Sequence, residues 1–263
     1  MAARLSAHAV IGLPELKPGD DLAALIATAM EAERPPRSLR DGQVAVIAHK
    51  AVSKIEGALV PLADIEPSSQ ARELAADAPA QDAAHGKDPR VVQVVLDQAA
   101  EILRADHGVL ICRTRHGFVC ANAGVDASNA PDQGTLVVLP RDPDASARLL
   151  RARLRRLTGA TVAVLITDSF GRAWRYGQCD VTIGCAGMAP LEDWRGRSDA
   201  AGRQLRATWL AVADAAAAAA DLARAKDSRE PVVILEGLER FVSSTDGPGA
   251  AALVRPLDED LFR

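Results

Sequence analysis

Two polar stretches hold the residue types that metal-assisted group transfer requires. The first is TRHGFVCANAGVDASN, from Thr114 to Asn129, which gathers Arg115, His116, Asn122, Asp126, Ser128 and Asn129 around Gly117 and Gly124. Asp126 is a hard oxygen donor suited to Mg²⁺ or Mn²⁺. The plainer alternative is that Asp126, Ser128 and Asn129 close an ordinary Asx turn. The second stretch is TDSFGRAWRYGQCD, from Thr167 to Asp180. Here Asp168 follows an apolar run, Ser169 adds a hydroxyl, and Arg172 and Arg175 are cations of the kind that bind phosphate. Two aspartates to hold a metal and arginines to neutralise a transferred group are what phosphoryl transfer needs. Against this stands a surface turn with common ion pairs. A third stretch, HKAVSKIEG from His49 to Gly57, offers Lys54 to a phosphate and Glu56 to a metal or an amine. Arg195-Gly196-Arg197 is a further basic turn, whereas Arg148, Arg151, Arg153, Arg155 and Arg156 read as a solvated helix face. The chain has no G-x-x-x-x-G-K-[ST] loop, G-x-S-x-G elbow or H-E-x-x-H pair.

Several elements must carry these residues. Asp20 is placed to cap a helix through Leu22, Leu25, Ile26 and Ala29. The segment from Glu31 to Arg40 reads as a loop, and Val44 to Ala48 as a buried strand ending at His49-Lys50. Asp88-Pro89 opens a helix whose apolar stripe is Val91, Val94, Val95 and Ile102. Gly108 to Cys112 and Phe118 to Ala121 form a hairpin about Arg115-His116-Gly117. A helix starting at Asp142-Pro143 faces Leu150, Leu154 and Leu157 inward and stops at Gly159. Thr161 to Thr167 is a strand with Asp168 at its carboxyl end, a common ligand position. The alanine-rich run from Ala207 to Lys226 is helical, and Val232 to Leu235 is a last strand. Strands and helices mix without a β-α-β rhythm, so the fold class is mixed α/β (α+β).

With 263 residues, 48 % of them apolar, the chain can bury a sizeable core. The net charge of −4 argues against a nucleic-acid binder. No apolar run has the length of a membrane span and the start lacks a signal-peptide h-region, so no membrane partner and a cytoplasmic location are expected. Cys112, Cys120, Cys179 and Cys185 form no C-x-x-C pair and read as reduced thiols, even though Cys112 and Cys120 flank the hairpin.

Together, TRHGFVCANAGVDASN, TDSFGRAWRYGQCDVTIGCAGM and VSKIEG resemble the coenzyme F420-0:L-glutamate ligase (F420 gamma-glutamyl ligase) family. IGLPELKPGDDL, GKDPRVVQVVLDQAAEILR and GPGAAALVRPLDEDLFR extend the resemblance over nearly the whole chain. It implies one ligase domain over residues 1–263, with no C-terminal nitroreductase-like domain, in an intertwined homodimer. It also implies a reaction: GTP phosphorylates the phospholactyl carboxylate of coenzyme F420-0, and the amine of L-glutamate attacks the acyl phosphate. The cofactors implied are Mg²⁺ or Mn²⁺, with K⁺ as a companion. Matched position by position, Asp126 and Asp168 would hold one divalent metal and Ser169 would touch a second. Asp126, Asp168 and Arg172 form the catalytic set. Leu13, Pro14, Glu15, Leu16, His49, Lys54, Asn129 and Lys226 would line the nucleotide.

Three positions depart from the family pattern. His49 stands where Ser or a similar residue is usual, and Ala58 where Arg is usual. The late nucleotide loop, Arg224-Ala225-Lys226-Asp227-Ser228-Arg229, lacks two glycines. Ala and Arg resist positive φ, so this loop is expected to take a different backbone and to meet phosphate through the side chains of Lys226 and Arg229. A related amide ligase acting on another cofactor tail, and a metal- and nucleotide-binding relative without catalysis, are the competing readings.

Overall fold

Short apolar runs alternate with capped amphipathic segments along the chain, and the computed structural model resolves them into strands and helices. It describes residues 4–76, 87–106, 108–128, 130, 132, 134–225 and 227–260. In chain order these are β1 (Ser6–Ala9), α1 (Leu22–Ala32), β2 (Val44–Ala48), α2 (His49–Ile55), β3 (Leu59–Pro61), α3 (Ser69–Ala76), α4 (Pro89–Gln98), β4 (Ala99–Asp106), β5 (Val109–Thr114) and β6 (Val119–Ala121). There follow β7 (Thr135–Val137), α5 (Pro143–Thr158), β8 (Ala163–Arg172), β9 (Arg175–Ala186), β10 (Leu191–Asp193), β11 (Trp209–Ala211), α6 (Val212–Asp221) and β12 (Val232–Glu236).

The main sheet has the order β1-β12-β2-β8-β9. Only the β2–β8 pair in it is parallel. Successive side chains of a strand point to opposite faces, and both faces of this sheet are covered. Ala45, Ile47, Val164 and Ile166 pack with α1 and α5, while Val44, Val46, Ala163 and Leu165 pack with α6. Hence β2 is apolar without alternation, as expected of a strand buried on both sides. A second body is built from α3, α4 and the sheet β4-β5-β6, around Ala71, Val92, Val95, Leu110 and Cys112. The mixed α/β class is therefore as the sequence indicates. No helix among the described residues is long and apolar enough to cross a membrane.

The caps at Asp88 and Asp142 form as expected, and Gly159 ends α5 at φ 76°. Several expectations are corrected. The cap of α1 is Asp21, which accepts from Ala24 N at 3.1 Å, while Asp20 turns back to Lys17 N. Helix α4 stops at Gln98, and Ile102 lies in β4, pairing with Cys112. Leu157 is exposed. The alanine-rich run is helical only from Val212, because Trp209–Ala211 pairs with β10 as a strand. Arg151 is buried rather than solvated: it donates to Val162 O, Ser243 O and Asp246.

Candidate functional site

The site lies where β2 ends. The parallel pairing of β2 with β8 runs out at Ala48 and Thr167, and the next residue on each strand carries a functional group. His49 begins α2 and Asp168 continues β8. His49 is 2 % exposed, with Nε2 3.3 Å from Asp168 Oδ1 and Nδ1 3.3 Å from Ser53 Oγ one turn on. The Nε2–carboxylate contact is close but misaligned for a hydrogen bond, so Nε2 is a buried polar atom without a partner. Lys50, the neighbour of His49, reaches the other aspartate. Its Nζ lies 2.6 Å from Asp126 Oδ2 and 2.6 Å from Ser128 Oγ. Consecutive residues of one helix thus touch both candidate metal ligands.

Asp126 is delivered by an unusual turn. Asn122, Ala123 and Gly124 have φ of 51°, 52° and 73°, successive left-handed residues of which only the last is glycine. Such conformations cost energy and persist where the surroundings enforce them. Here Asn122 Oδ1 accepts from Lys87 Nζ at 2.8 Å, and Ala123 is buried. Asp126 is then fixed by reciprocal backbone bonds with Val137, at 3.0 and 2.8 Å. Burial pushes its carboxyl up, but the bonds from Lys50 and from Ser128 N–H outweigh this and hold it below the usual carboxylate range.

Asp168 was expected at the end of a strand. Instead β8 runs on to Arg172 because β9 keeps pairing with it after β2 has stopped. A register shift between Ile166 and Thr167 marks the departure. Ser169 faces away from Asp168, donating to Asp180 Oδ1 at 2.6 Å. Arg172 lies four residues beyond Asp168, about 13 Å along the strand, and donates to Tyr176 O. His116 is not brought to the aspartates; it stacks on Phe118 and contacts Arg141 O, and burial lowers its pKa.

Residues 13–16, expected to line a nucleotide, meet α2. Lys54, buried, pairs with Glu15, and Gly19 N donates to Ile55 O. Leu16 is buried, Leu13 packs on the core, and Pro14 and Glu15 face solvent. Glu56 accepts from Ser146 Oγ. Asn129 and Lys226 lie outside the described residues. In the late loop Arg229 takes φ 59°, so that position keeps a left-handed backbone without glycine, contrary to expectation. Arg224 turns inward to Asp180 and Thr167. Sequence reading missed Lys50, Thr167 and Asp180 as parts of the site; the adjacency of Lys50 to His49 was the available signal.

Among the described residues no three His, Cys, Asp or Glu side chains form a metal-holding cluster. Two carboxylates nevertheless suit Mg²⁺, which binds through one or two protein carboxylates and completes its shell with water and substrate phosphate. The partnerless Nε2 beside Asp168 is consistent with a further group entering there.

The F420-0:Gamma-glutamyl ligase family model matches residues 10–237. Over 251 residues the chain is 47 % identical to the coenzyme F420:L-glutamate ligase of Methanopyrus kandleri, covering 95 % of this chain and 94 % of that protein. The protein of the same name from Methanothermobacter thermautotrophicus is 42 % identical over 260 residues, covering 98 % and 99 %. That from Archaeoglobus fulgidus is 38 % identical over 262 residues, covering 99 % and 97 %.

Proposed function

The chain belongs to the F420-0:gamma-glutamyl ligase family, and from that membership we propose that it joins L-glutamate to the phospholactyl carboxylate of coenzyme F420-0 at the expense of GTP. A carboxylate oxygen of the lactyl group attacks the γ-phosphorus, and GDP leaves. The glutamate amine attacks the acyl carbon of the resulting acyl phosphate. Inorganic phosphate departs, the amine proton is lost, and an amide remains. The reading extends to Mg²⁺ or Mn²⁺ with K⁺ as cofactors and to a cytoplasmic homodimer.

The observation that carries this reading is the convergence of Asp126 and Asp168 on the consecutive residues Lys50 and His49. A divalent ion held there by the two carboxylates would neutralise charge on the transferred phosphoryl group. His49 packs against Asp168 on its buried side, and Lys50 together with Ser128 N–H lowers the pKa of Asp126. Lys54, paired with Glu15 of the segment Leu13-Pro14-Glu15-Leu16, is the cation assigned here to nucleotide phosphate. Arg172 is assigned to the far end of the substrate, given its distance along β8.

The test is incubation of the purified chain with coenzyme F420-0, L-glutamate, Mn²⁺ and either GTP or ATP. Expected are a product heavier by one glutamyl residue, one GDP per amide, and loss of most turnover in Asp126→Asn and Asp168→Asn. Glutamylation without nucleotide cleavage, or full turnover in either variant at limiting metal, would refute the proposal.

A further inference from the structure

Asp168 is held from behind. Its two chain neighbours, Thr167 and Ser169, point to the opposite face of β8, and both donate their hydroxyls to Asp180. Thr167 Oγ1 lies 2.8 Å from Oδ2 and Ser169 Oγ 2.6 Å from Oδ1. Asp180 sits on β9 directly across from Ser169 and is 2 % exposed. Its charge is met by Arg224, whose side chain is 9 % exposed and which donates both to Asp180 Oδ2 and to Thr167 Oγ1. The other arm of the same guanidinium donates to Pro231 O at 3.0 Å, and Pro231 O also accepts from Ala48 N at 2.8 Å. Arg224 therefore braces the residue before His49 as well as those flanking Asp168.

We infer that Asp180 and Arg224 are positioning residues that aim Asp168 at the metal it is proposed to hold. This rests on the reading of Asp168 given above. The physical need arises at the register shift between Ile166 and Thr167. One residue further on, after Thr167, β8 has lost its β2 partner, and an irregularity of this kind re-aims side chains and loosens the local ladder. Tying the hydroxyls on either side of Asp168 to one carboxylate removes rotation of the strand about its own axis. Asp168 is left facing His49. A buried ion pair is a poor device for stability alone, because desolvation offsets its attraction. It is a good device for fixing one arrangement, since every donor and acceptor must be in place for the buried charges to be satisfied. Arg224 also opens the 224–229 loop, so the clamp ties that loop to the strand bearing Asp168.

The experiment uses the full chain and Mn²⁺ alone, with the free ion read by electron paramagnetic resonance, alongside thermal melting and the kcat and KM of turnover. Orienting residues behind a metal ligand typically contribute about 10- to 100-fold in metal affinity. Arg224→Gln is expected to weaken Mn²⁺ binding by that factor, and Thr167→Val, which keeps the shape and removes one hydroxyl, by about the lower end of it. Arg224→Lys, lacking the planar fork, is expected to restore only part. The double variant Thr167→Val/Arg224→Gln should bind no more than about twofold worse than Arg224→Gln, since both act through Asp180. Thr167→Val decides the matter if Arg224→Gln does not fold. Asp168→Asn is the control. If it removes Mn²⁺ binding while Arg224→Gln and Thr167→Val bind as the parent does, the clamp is overturned and the role of Asp168 stands. If Asp168→Asn itself binds Mn²⁺ normally, both the metal reading and the clamp fall.

Discussion

Gly124→Ala tests how Asp126 is delivered. Gly124 is the last residue of the left-handed turn, at φ 73°. An alanine there would adopt a conformation costing about 1 kcal/mol relative to the right-handed one. Its Cβ would also lie 2.8 Å from Leu139 Cγ and 2.9 Å from both δ-carbons. Leu139 is 2 % exposed and packed in the main core, so it has little room to turn aside. Overpacking of that kind costs roughly 1–3 kcal/mol, and with the backbone strain the total comes to about 2–4 kcal/mol. Gly159→Ala separates the two contributions. It has φ 76° and nothing within 4 Å of the added carbon, so only the backbone strain applies. Urea unfolding measures both, with an unchanged slope against denaturant showing that only stability has moved. The displaced turn should also shift Asp126, two residues on, and weaken Mn²⁺ binding, whereas Gly159→Ala should not. If Gly124→Ala costs no more than Gly159→Ala and binds Mn²⁺ as the parent does, Leu139 is no wall and the turn does not aim Asp126.

Two further outcomes are expected. In Lys50→Met burial acts on Asp126 without its main opponent, so the carboxyl should rise from below the usual range toward or past it. In the parent, the contribution of Asp126 is present above the unfolded carboxylate pKa and lost as pH falls through the depressed folded value. The stability gap between variant and parent should therefore widen as pH rises from about 3 to 6, and a gap independent of pH would contradict the assignment. The thiols give an independent check on burial. Cys120 and Cys185 are pushed up to about 12 by burial, and Cys112 is raised as well. A thiol reagent at pH 8 should label Cys179 alone in the native protein, as read by mass spectrometry, and all four cysteines after unfolding; native labelling of Cys120 or Cys185 would refute it.

Local rules read well where the signal was local. Asp-Pro at residues 88–89 and 142–143 started helices, glycine at 159 ended one, and the runs at 44–48 and 232–235 became central strands. The errors fall where tertiary pairing overrides a local preference. Ile102 continued an apolar spacing that looked helical, yet β4 forms because β5 is there to pair with it. Trp209–Ala211 sits at the edge of an alanine run but is claimed by β10. Arg151 sits among arginines that are partly or fully exposed, and its burial depends on carbonyls at 162 and 243 that no helical periodicity can reveal.

The candidate site shows the same limit in sharper form. Asp126 and Asp168 stood out in the sequence as candidates because carboxylates beside hydroxyls and arginines are informative by type. Their conjunction was not, since it depends on β2 ending one residue before His49 and on β8 passing that point. The position of Asp168 is set by pairings with two strands, parallel to residues 44–48 and antiparallel to residues 175–186. Ser169 illustrates the consequence. Adjacent to Asp168 in sequence, it was expected to touch a second metal rather than the one at Asp168, and a strand does send neighbours to opposite faces. On its own face the hydroxyl donates to Asp180. A residue 11 positions away thereby becomes part of the machinery that aims Asp168, and Arg224, 44 positions beyond Asp180, joins it. Motif spacing identifies which groups can react; the order and register of the strands decide which of them face one another.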